Sequence, residues 1–349
     1  MTNMLPYIII LFFVVSVVYF EAEYLGRKAI VFPSIFLILF SSIRSYTVGT
    51  DSISYTEAYR FEYNPYYYGF NSNIEYGYQF FDYFILNFFS DYFWLFLFFS
   101  TIVVCLYMIT IKRISINYLV SVFVFITFGF YTFFFNGLRQ GVAMAICFFG
   151  LPYLIEKRII SYFLVVLTAS MFHVSALVML PMYFLVNSKF KLEYKVFGCF
   201  IISLFASQIL IGYLAEGNAR YEHYTEEAEK AGGYITLLFY TFIGALVFVL
   251  GKKYRNFDIR FNKFEQIFLC GLALVFPVSL LGTDPSGPQR ILYYFAGVVV
   301  FLIPYILRRI KSTYFNMLFI FLSVIYFLLI TMRFGNLYPY QINPFFEIF

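Results

Sequence analysis

Long apolar stretches, separated by short polar segments, run through almost the whole 349-residue chain. A helix needs about 20 mainly apolar residues to cross the roughly 30 Å hydrocarbon core of a bilayer. About ten stretches have that length or come close to it, which predicts a helical membrane protein with about ten spans. They cover residues 5–20, 29–43, 94–111, 119–135, 141–155, 196–214, 234–250, 266–281, 291–307 and 314–332.

A further apolar stretch, 159–186, is long for one crossing and short for two. We interpret it as a re-entrant hairpin or a pair of short helices with Phe172 and His173 near the turn, which gives about 10–12 membrane segments in all. With this hairpin, most of the 24 lysines and arginines fall in loops on one side. The positive-inside rule makes that side cytoplasmic, so both termini are expected outside.

The composition narrows the class of protein further. Hydrophobic residues make up 62% of the chain and charged residues only 12%, whereas soluble domains have about 25% charged residues. Soluble globular proteins, disordered proteins and nucleic-acid-binding proteins are therefore excluded. The four cysteines lie inside apolar runs, and glycine-rich phosphate-binding motifs are absent, so we expect no disulfide framework, metal or cofactor. The expectation is one all-α polytopic domain over residues 1–349.

Polar chain length is concentrated on the predicted extracytoplasmic side. It lies in the long loops 44–93 and 215–233 and in the turn 282–290. The first loop contains an amphipathic aromatic segment, 78–89, that we expect along the membrane surface. Because cytosolic nucleotides do not reach this side, a reaction there needs a substrate that is already activated, most simply on a lipid carrier. Function is therefore expected on the outer face.

Arg139 is the strongest single candidate for a functional residue. It lies in the sequence Asn136-Gly137-Leu138-Arg139-Gln140, between two apolar runs, and no carboxylate is near it in the sequence. A charge at this depth is costly unless it is paired or faces water, so it marks a functional site by default. The alternative is an arginine that snorkels from a helix end. Arginine also offers a planar fork of donors matched to phosphate oxygens.

Other polar residues in the outer loops have competing interpretations. His173 suits proton transfer near neutral pH, or it is a structural histidine at a helix break. Asp51 follows Gly49 at an expected helix start and is either catalytic or an N-cap. Glu75 precedes the amphipathic segment. Arg290 ends the turn 282–290, where it adds a phosphate contact or simply closes a tight loop.

Four sequence blocks resemble the EpsG family and, more broadly, the Wzy-type O-antigen and capsule polymerases. They are Arg44 with Val48-Gly49-Thr50-Asp51 and Tyr55, then Glu75-Tyr76-Gly77-Tyr78, then Asn136 to Gln140 with Ala143, and finally Phe172-His173-Val174-Ser175-Ala176-Leu177. The resemblance implies a GT-C-like glycosyltransferase of the bacterial inner membrane. Such an enzyme polymerises undecaprenyl-pyrophosphate-linked oligosaccharide repeat units into lipopolysaccharide O-antigen, capsule or exopolysaccharide on the periplasmic or outer side. A chain-length regulator is an implied partner.

The resemblance also implies roles for the candidate residues. Arg139, with Arg44 and Arg290, would stabilise charge on the leaving pyrophosphate. His173 or Asp51 would orient or deprotonate the acceptor hydroxyl, and the choice between them stays open. In the same blocks, the remaining expected substrate-binding residues are Glu75, Asn136 and Gln140.

Two other functions compete with polymerisation. A transporter of lipid-linked oligosaccharide would also bind pyrophosphate through arginine, but we expect charges along a mid-membrane path and duplicated halves, and the sequence has neither. A membrane acyltransferase that modifies the glycan would use His173 on an acyl donor brought from inside. It would favour polar residues near the cytoplasmic side, where the sequence has mainly lysines.

Overall fold

The computed structural model describes residues 4–217, 234–280 and 288–346. This part of the chain is almost entirely helical, and its one extended pairing is an isolated antiparallel bridge between Arg44 and Ile342. The α-helices are α1 Leu5–Tyr24, α2 Val31–Ser42, α3 Ser52–Tyr55, α4 Glu57–Arg60, α5 Tyr76–Phe88, α6 Phe93–Ile114, α7 Tyr118–Thr127, α8 Phe130–Asn136, α9 Leu138–Phe149, α10 Leu151–Ile155, α11 Ile159–Ser170, α12 Leu180–Asn187, α13 Leu192–Gly217, α14 Tyr234–Leu250, α15 Lys252–Phe257, α16 Ile259–Leu280, α17 Leu292–Ala296, α18 Val299–Ile310 and α19 Thr313–Arg333. Short 3-10 helices cover Pro65–Tyr67, Val174–Met179, Pro288–Ile291 and Pro344–Phe346.

The helices confirm a polytopic helical membrane protein. Within the described ranges, 5 helical segments are long and apolar enough to cross a bilayer: Leu5–Tyr24, Phe93–Ile114, Tyr118–Asn136, Ile259–Ser279 and Thr313–Arg333. Shorter apolar helices are Val31–Ser42, Leu138–Phe149, Ile159–Ser170, Val174–Asn187 and Tyr234–Leu250. Many outward-facing side chains are large and apolar, such as Phe12 at 74% exposure. Lipid is as apolar as the protein core, so such positions need no polar residues.

Glycines interrupt two of the spans that the apolar pattern presents as continuous. Gly129 takes a left-handed conformation, with φ of 83°, between α7 and α8. Gly137 ends α8 and begins α9, and Gly150 separates α9 from α10. The break at Gly137 places the polar residues that follow it in the first turn of a new helix.

Contacts divide the chain into two compact units. The first comprises Met1–Pro152, Ile160–Leu177 and Ile310–Phe349, and the second comprises Tyr153–Ile159 and Val178–Arg309. In the first unit, α6 packs against α2 and α9. The Tyr107 ring lies 4.7 Å from Phe125 and 4.6 Å from Phe148, measured between ring centroids. The single-domain organisation expected from the sequence stays a prediction.

The first unit has two distinct ends. At one end, Lys28 Nζ donates to the Lys112 carbonyl at 3.0 Å, and the Tyr118 hydroxyl donates to the carbonyl of Ala29. At the other end, the backbone N–H of Ser45 donates to the Gln341 carbonyl at 2.8 Å. The basic loops before α2 and after α6 therefore share one end, and the loop after α2 and the C-terminal segment share the opposite one.

The stretch 159–186 forms a helix, a break and a second helical segment, as the sequence predicts. Helix α11 ends at Ser170, and Phe172 and His173 lie in the turn before the 3-10 helix. In the second unit, the Tyr183 hydroxyl of α12 donates to the Lys157 carbonyl at 2.7 Å. Most of the predicted loop 215–233, and residues 282–287 of the predicted turn, lie outside the described residues.

Candidate active site

The break at Gly137 presents Arg139 and Gln140 in the first turn of α9. Gly141 is tightly enclosed there, because a Cβ at this position would lie 2.3 Å from the Cβ of Phe134 in α8. The glycine thus permits α9 to start directly against α8. Both Arg139 and Gln140 are buried. A cation in the first turn opposes the helix dipole, so Arg139 needs a nearby anion or a functional reason to be there.

The anion is Glu75, which lies 64 residues away in the sequence. Arg139 Nη1 lies 2.5 Å from Glu75 Oε2, and the exposed fractions of the two side chains are 6% and 14%. The guanidinium carbon also lies 5.7 Å from the centre of the Tyr78 ring. No carboxylate is near Arg139 in the sequence, and only the tertiary fold brings Glu75 to it. Snorkelling does not describe this arginine, because it is buried and paired.

Glu75 also contacts the turn that carries His173. Its Oε1 accepts a hydrogen bond from the backbone N–H of Val174 at 3.2 Å. Two residues further on, the N–H of Gly77 donates to the carbonyl of Met171 at 2.9 Å. A Cβ on Gly77 would lie 2.6 Å from that carbonyl oxygen, so only glycine fits this approach. The two contacts bracket His173 and attach its turn to the start of α5.

His173 is oriented by a residue that follows it in the same turn. Its Nδ1 lies 2.7 Å from Ser175 Oγ and accepts from the Ser175 backbone N–H at 3.3 Å. A backbone N–H can only donate, so Nδ1 is the unprotonated nitrogen and the proton of the neutral ring lies on Nε2. The ring is half-buried. This arrangement presents a donor at Nε2.

Asp51 belongs to a loop that packs on the α8–α9 break. Its backbone N–H donates to Asn136 Oδ1 at 3.1 Å, and Ser52 Oγ donates to the Phe135 carbonyl at 2.9 Å. Gly49 has a φ of 102° and comes so close to Phe135 that a Cβ would overlap its carbonyl oxygen. Asp51 precedes α3, but its side chain makes no capping hydrogen bond. Asn136 therefore acts here as an anchor for the loop that carries Asp51.

Arg44 lies behind this loop with no exposed surface. Its guanidinium carbon is 3.6 Å from the ring centre of Phe96 and 4.6 Å from that of Phe135, and Nη1 donates to the Ser41 carbonyl. Among the described residues, its Nε and Nη2 have no hydrogen-bond partner. In this arrangement Arg44 touches rings rather than solvent. A role in substrate binding stays a prediction.

The C-terminal segment also contacts the site, which the four sequence blocks did not predict. The Asn336 side chain donates to the Thr47 carbonyl at 3.1 Å, and Thr47 Oγ1 donates to Gln341 Oε1 at 2.7 Å. The backbone N–H of Gly49 donates to the Asn336 carbonyl at 2.9 Å. The segment that follows the last helix thus holds the Asp51 loop in place. Its polar residues after an apolar span were the available signal.

A second missed residue is Asp82, which shares a face of α5 with Glu75 and Tyr78. Its two carboxylate oxygens accept from the hydroxyls of Tyr59 and Tyr68, at 3.1 and 2.9 Å. Burial raises the pKa of the Asp82 carboxyl to about 6, against the lowering effect of the two hydroxyl donors. An acid four residues after Tyr78 and seven residues after Glu75 was a signal for this shared helix face.

The remaining candidate, Arg290, lies in the second unit at the end of the 3-10 helix Pro288–Ile291, where it is partly exposed. Among the described residues, no group of three or more His, Cys, Asp and Glu side chains has an arrangement that would hold a metal ion. The first unit therefore brings together Asp51, Glu75, Asn136, Arg139 and His173, by the contacts described above, at the end opposite its basic loops.

These features define a class of protein: a polytopic helical membrane protein with an ion-paired arginine, a histidine and carboxylates assembled at one end of a helical unit. The EpsG family model matches residues 27–342, nearly the whole chain, so the chain belongs to the EpsG family. EpsG is a Wzy-like polymerase family. No curated protein and no solved structure matches the chain.

Proposed function

We propose that this protein is a polysaccharide polymerase that joins oligosaccharide repeat units carried on undecaprenyl pyrophosphate. Membership of the EpsG family suggests the polymerase-like role. The observation that carries the proposal further is the connection from Arg139 through Glu75 to the turn of His173. It joins three of the four sequence blocks into one polar centre.

In the proposed reaction, a hydroxyl oxygen of the acceptor repeat unit attacks the anomeric carbon of the growing chain. The bond from that carbon to the pyrophosphate oxygen breaks, and undecaprenyl pyrophosphate leaves with the bonding electron pair. The acceptor hydroxyl loses its proton to a protein base. Negative charge thus develops on the leaving pyrophosphate, which fixed cationic donors stabilise.

Arg139 is the proposed contact to the leaving group. Its position in the first turn of α9 adds the positive end of the helix dipole to its own charge. Glu75 holds the guanidinium through one nitrogen, Nη1. Arg139 also has a side-chain hydrogen bond with Tyr55. The planar guanidinium carries five N–H donors, in a fork geometry that a lysine at this position would not offer to phosphate oxygens.

The hydrogen bonds of His173 favour a division of roles between the two proposed catalytic residues. With Nδ1 accepting from Ser175, the neutral ring donates from Nε2 and does not accept a proton there. This favours His173 as a donor to the leaving pyrophosphate or the acceptor sugar. The carboxylate of Asp51, which is not used to cap α3, is then the proposed base.

On this proposal, the reaction takes place on the extracytoplasmic face of the bacterial inner membrane. The support is charge: in the first unit, the Lys28–Lys112 loops lie at the end opposite the polar centre, and positive loops favour the cytoplasm. Asn136, Gln140 and Arg44 complete the proposed substrate site in the first unit, and a chain-length regulator is the proposed partner. A phosphate contact from Arg290, in the second unit, stays a prediction.

A reconstituted assay tests the function. Purified protein in detergent, given lipid-linked repeat units and no other donor, is expected to lengthen the glycan, as read from a ladder of products on a gel. An unchanged chain length with transport across vesicles would support a transporter instead. A change in substituents alone would support an acyltransferase.

Arg139→Lys tests the forked contact in the same assay. We expect a loss of about 100-fold or more, on the scale of removing one preorganised donor to a developing negative charge. Arg60→Lys is the matched control, because Arg60 at the end of α4 donates to Thr56 and to the Ile53 carbonyl of α3 and has no carboxylate partner in a described contact. Full activity of Arg139→Lys would contradict the proposed role of the guanidinium.

A further inference from the structure

A groove on the first unit, far from the polar centre, has no assigned use. It lies between α1 and α2 and has a volume of about 520 Å³. Its walls are mainly aromatic and aliphatic, and its polar residues are Ser16, Glu21 and Arg27. The rings of Phe13 and Phe36 meet edge to face, 4.3 Å apart between centroids, where the two helices pack together.

The groove has a polar end with a defined geometry. The chain reverses at Gly26, which has a φ of 60°, and the Arg27 N–H then donates to the Glu21 carbonyl at 3.1 Å. Arg27 Nε donates to Glu21 Oε2 at 2.7 Å, so the buried carboxylate is ion-paired with the guanidinium. The Arg27 side chain is 61% exposed, and its two terminal nitrogens make no hydrogen bond to the described residues. They remain as donors at the mouth of the groove.

The charge around the mouth is positive. Glu21 is paired with Arg27, and Glu23 is the other acid nearby in the sequence. The basic residues that share this end are Arg27, Lys28, Lys112 and Arg113, with Lys28 bonded to the Lys112 carbonyl. An anionic group is therefore attracted to this end of the groove, and a neutral or cationic group is not.

The length of the groove fits one leaflet of a bilayer. From Phe13 to Leu25, at about 1.5 Å per residue, α1 and its end extend about 18 Å. Half of the roughly 30 Å hydrocarbon core is about 15 Å. A lipid chain that lies along the groove thus reaches from the bilayer centre to the basic end, where its headgroup meets Arg27.

We propose that the groove between α1 and α2 binds one anionic phospholipid of the leaflet at the basic end, with its acyl chain along the apolar walls and its phosphate at Arg27. The site is separate from the proposed polymerase centre, and its existence does not depend on that function. The lipid would cover the exposed aromatic faces of α1 and α2 and secure the turn at Gly26.

Native mass spectrometry tests this proposal through lipid retention rather than activity. The full-length protein is released from nanodiscs of phosphatidylcholine that contain a minority of phosphatidylglycerol, and the retained lipids are counted. We expect phosphatidylglycerol to be enriched in the first retained lipid about fivefold over its share in the disc, the effect of about one basic residue near an anionic headgroup.

Two variants should abolish the enrichment by different routes. Glu21→Gln with Arg27→Gln removes the guanidinium without leaving a buried carboxylate unpaired, which a single Arg27 substitution would do. Ser16→Trp fills the groove from one of its own lining positions. Phe12→Trp is the matched control, because Phe12 is exposed on the same helix and does not line the groove.

The outcomes are distinguishable. Loss of enrichment in both groove variants, with retention in Phe12→Trp, would support the proposal. Enrichment that survives Ser16→Trp, or no enrichment in the unmodified protein, would overturn it. In a parallel competition, preferential retention of a polyprenyl phosphate over phosphatidylglycerol would overturn the assignment to a phospholipid. None of these readings depends on glycan lengthening, so the proposed function is tested separately.

Discussion

The ion pair between Arg139 and Glu75 permits a quantitative test of how the polar centre is built. Both side chains are nearly inaccessible, with Nη1 and Oε2 2.5 Å apart. Breaking a buried pair by removing one partner leaves the other charge buried without compensation, which costs about 3–5 kcal/mol. Removing both partners together leaves no such charge. The two substitutions are therefore expected to be strongly non-additive.

The test is a double-mutant cycle with Arg139→Met, Glu75→Gln and the two combined. We expect each single variant to lose about 3–5 kcal/mol of unfolding free energy, and the double variant to lose less than the sum by at least about 2 kcal/mol. Glu75→Gln also keeps an oxygen that can accept from the Val174 N–H, so its loss should fall toward the lower part of that range.

Unfolding in detergent mixtures can be followed by the fluorescence of the chain's single tryptophan. Trp94 is the second residue of α6 in the first unit and stacks on Phe89, with 4.3 Å between ring centroids. Arg60→Met is the control, with a change of at most about 1 kcal/mol expected for a partly exposed charge. Additive losses in the Arg139 and Glu75 variants would refute the reasoning, because they would show that the two charges do not stabilise each other.

Three further predictions concern other parts of the first unit. Gly77→Ala should lower thermal stability and activity, because the added Cβ would lie 2.6 Å from the Met171 carbonyl oxygen. The control Gly69→Ala should change neither, because no atom lies within 4 Å of a Cβ added there. Equal effects of the two substitutions would contradict the close approach of Gly77 to Met171. The pKa of the Asp82 carboxyl is raised from 3.8 to about 6 in the folded state, so the folded protein binds a proton there more tightly than the unfolded chain does. Protonation of Asp82 therefore stabilises the fold by about 3 kcal/mol below about pH 4, and this stabilisation is lost as the pH rises through about 6. Asp82→Asn should therefore reduce the change in unfolding free energy between pH 4 and pH 7 by about 3 kcal/mol. An unchanged pH profile in this variant would exclude Asp82 as the source of the pH dependence. Arg44→Lys should lower the unfolding free energy by about 1–3 kcal/mol more than Arg44→Met does, since lysine keeps a buried charge but loses the planar stacking on Phe96. Equal unfolding free energies for the two variants would contradict this reasoning.

The fold class was readable from the sequence because a bilayer imposes a simple length rule on apolar runs. Each predicted span coincides at least in part with a helix of the described chain. The breaks within the spans were harder to predict. At Gly129 and Gly150, the flanking residues are as apolar as elsewhere, and only the local backbone geometry shows that the helix stops and restarts.

Residue type pointed to several members of the candidate site but not to the contacts between them. Arg139, Glu75 and His173 stand out by residue type in an apolar chain. Their pairing depends on how the start of α5 approaches the turn after α11, which a single sequence does not reveal. For the same reason, the buried position of Arg44, the hydroxyl partners of Asp82 and the packing of the C-terminal segment against Thr47 were not anticipated.

The sequence by itself determined that the chain crosses a membrane many times and which of its residues are charged or titratable. It also determined that basic loops alternate with polar loops along the chain. These properties depend on the transfer of single side chains and short segments between water and lipid, and such contributions add along the chain. Tertiary structure alone decided which charge neutralises which. A buried ion pair forms only when two segments distant in sequence meet at hydrogen-bond distance, and its stability depends on that contact rather than on either residue alone.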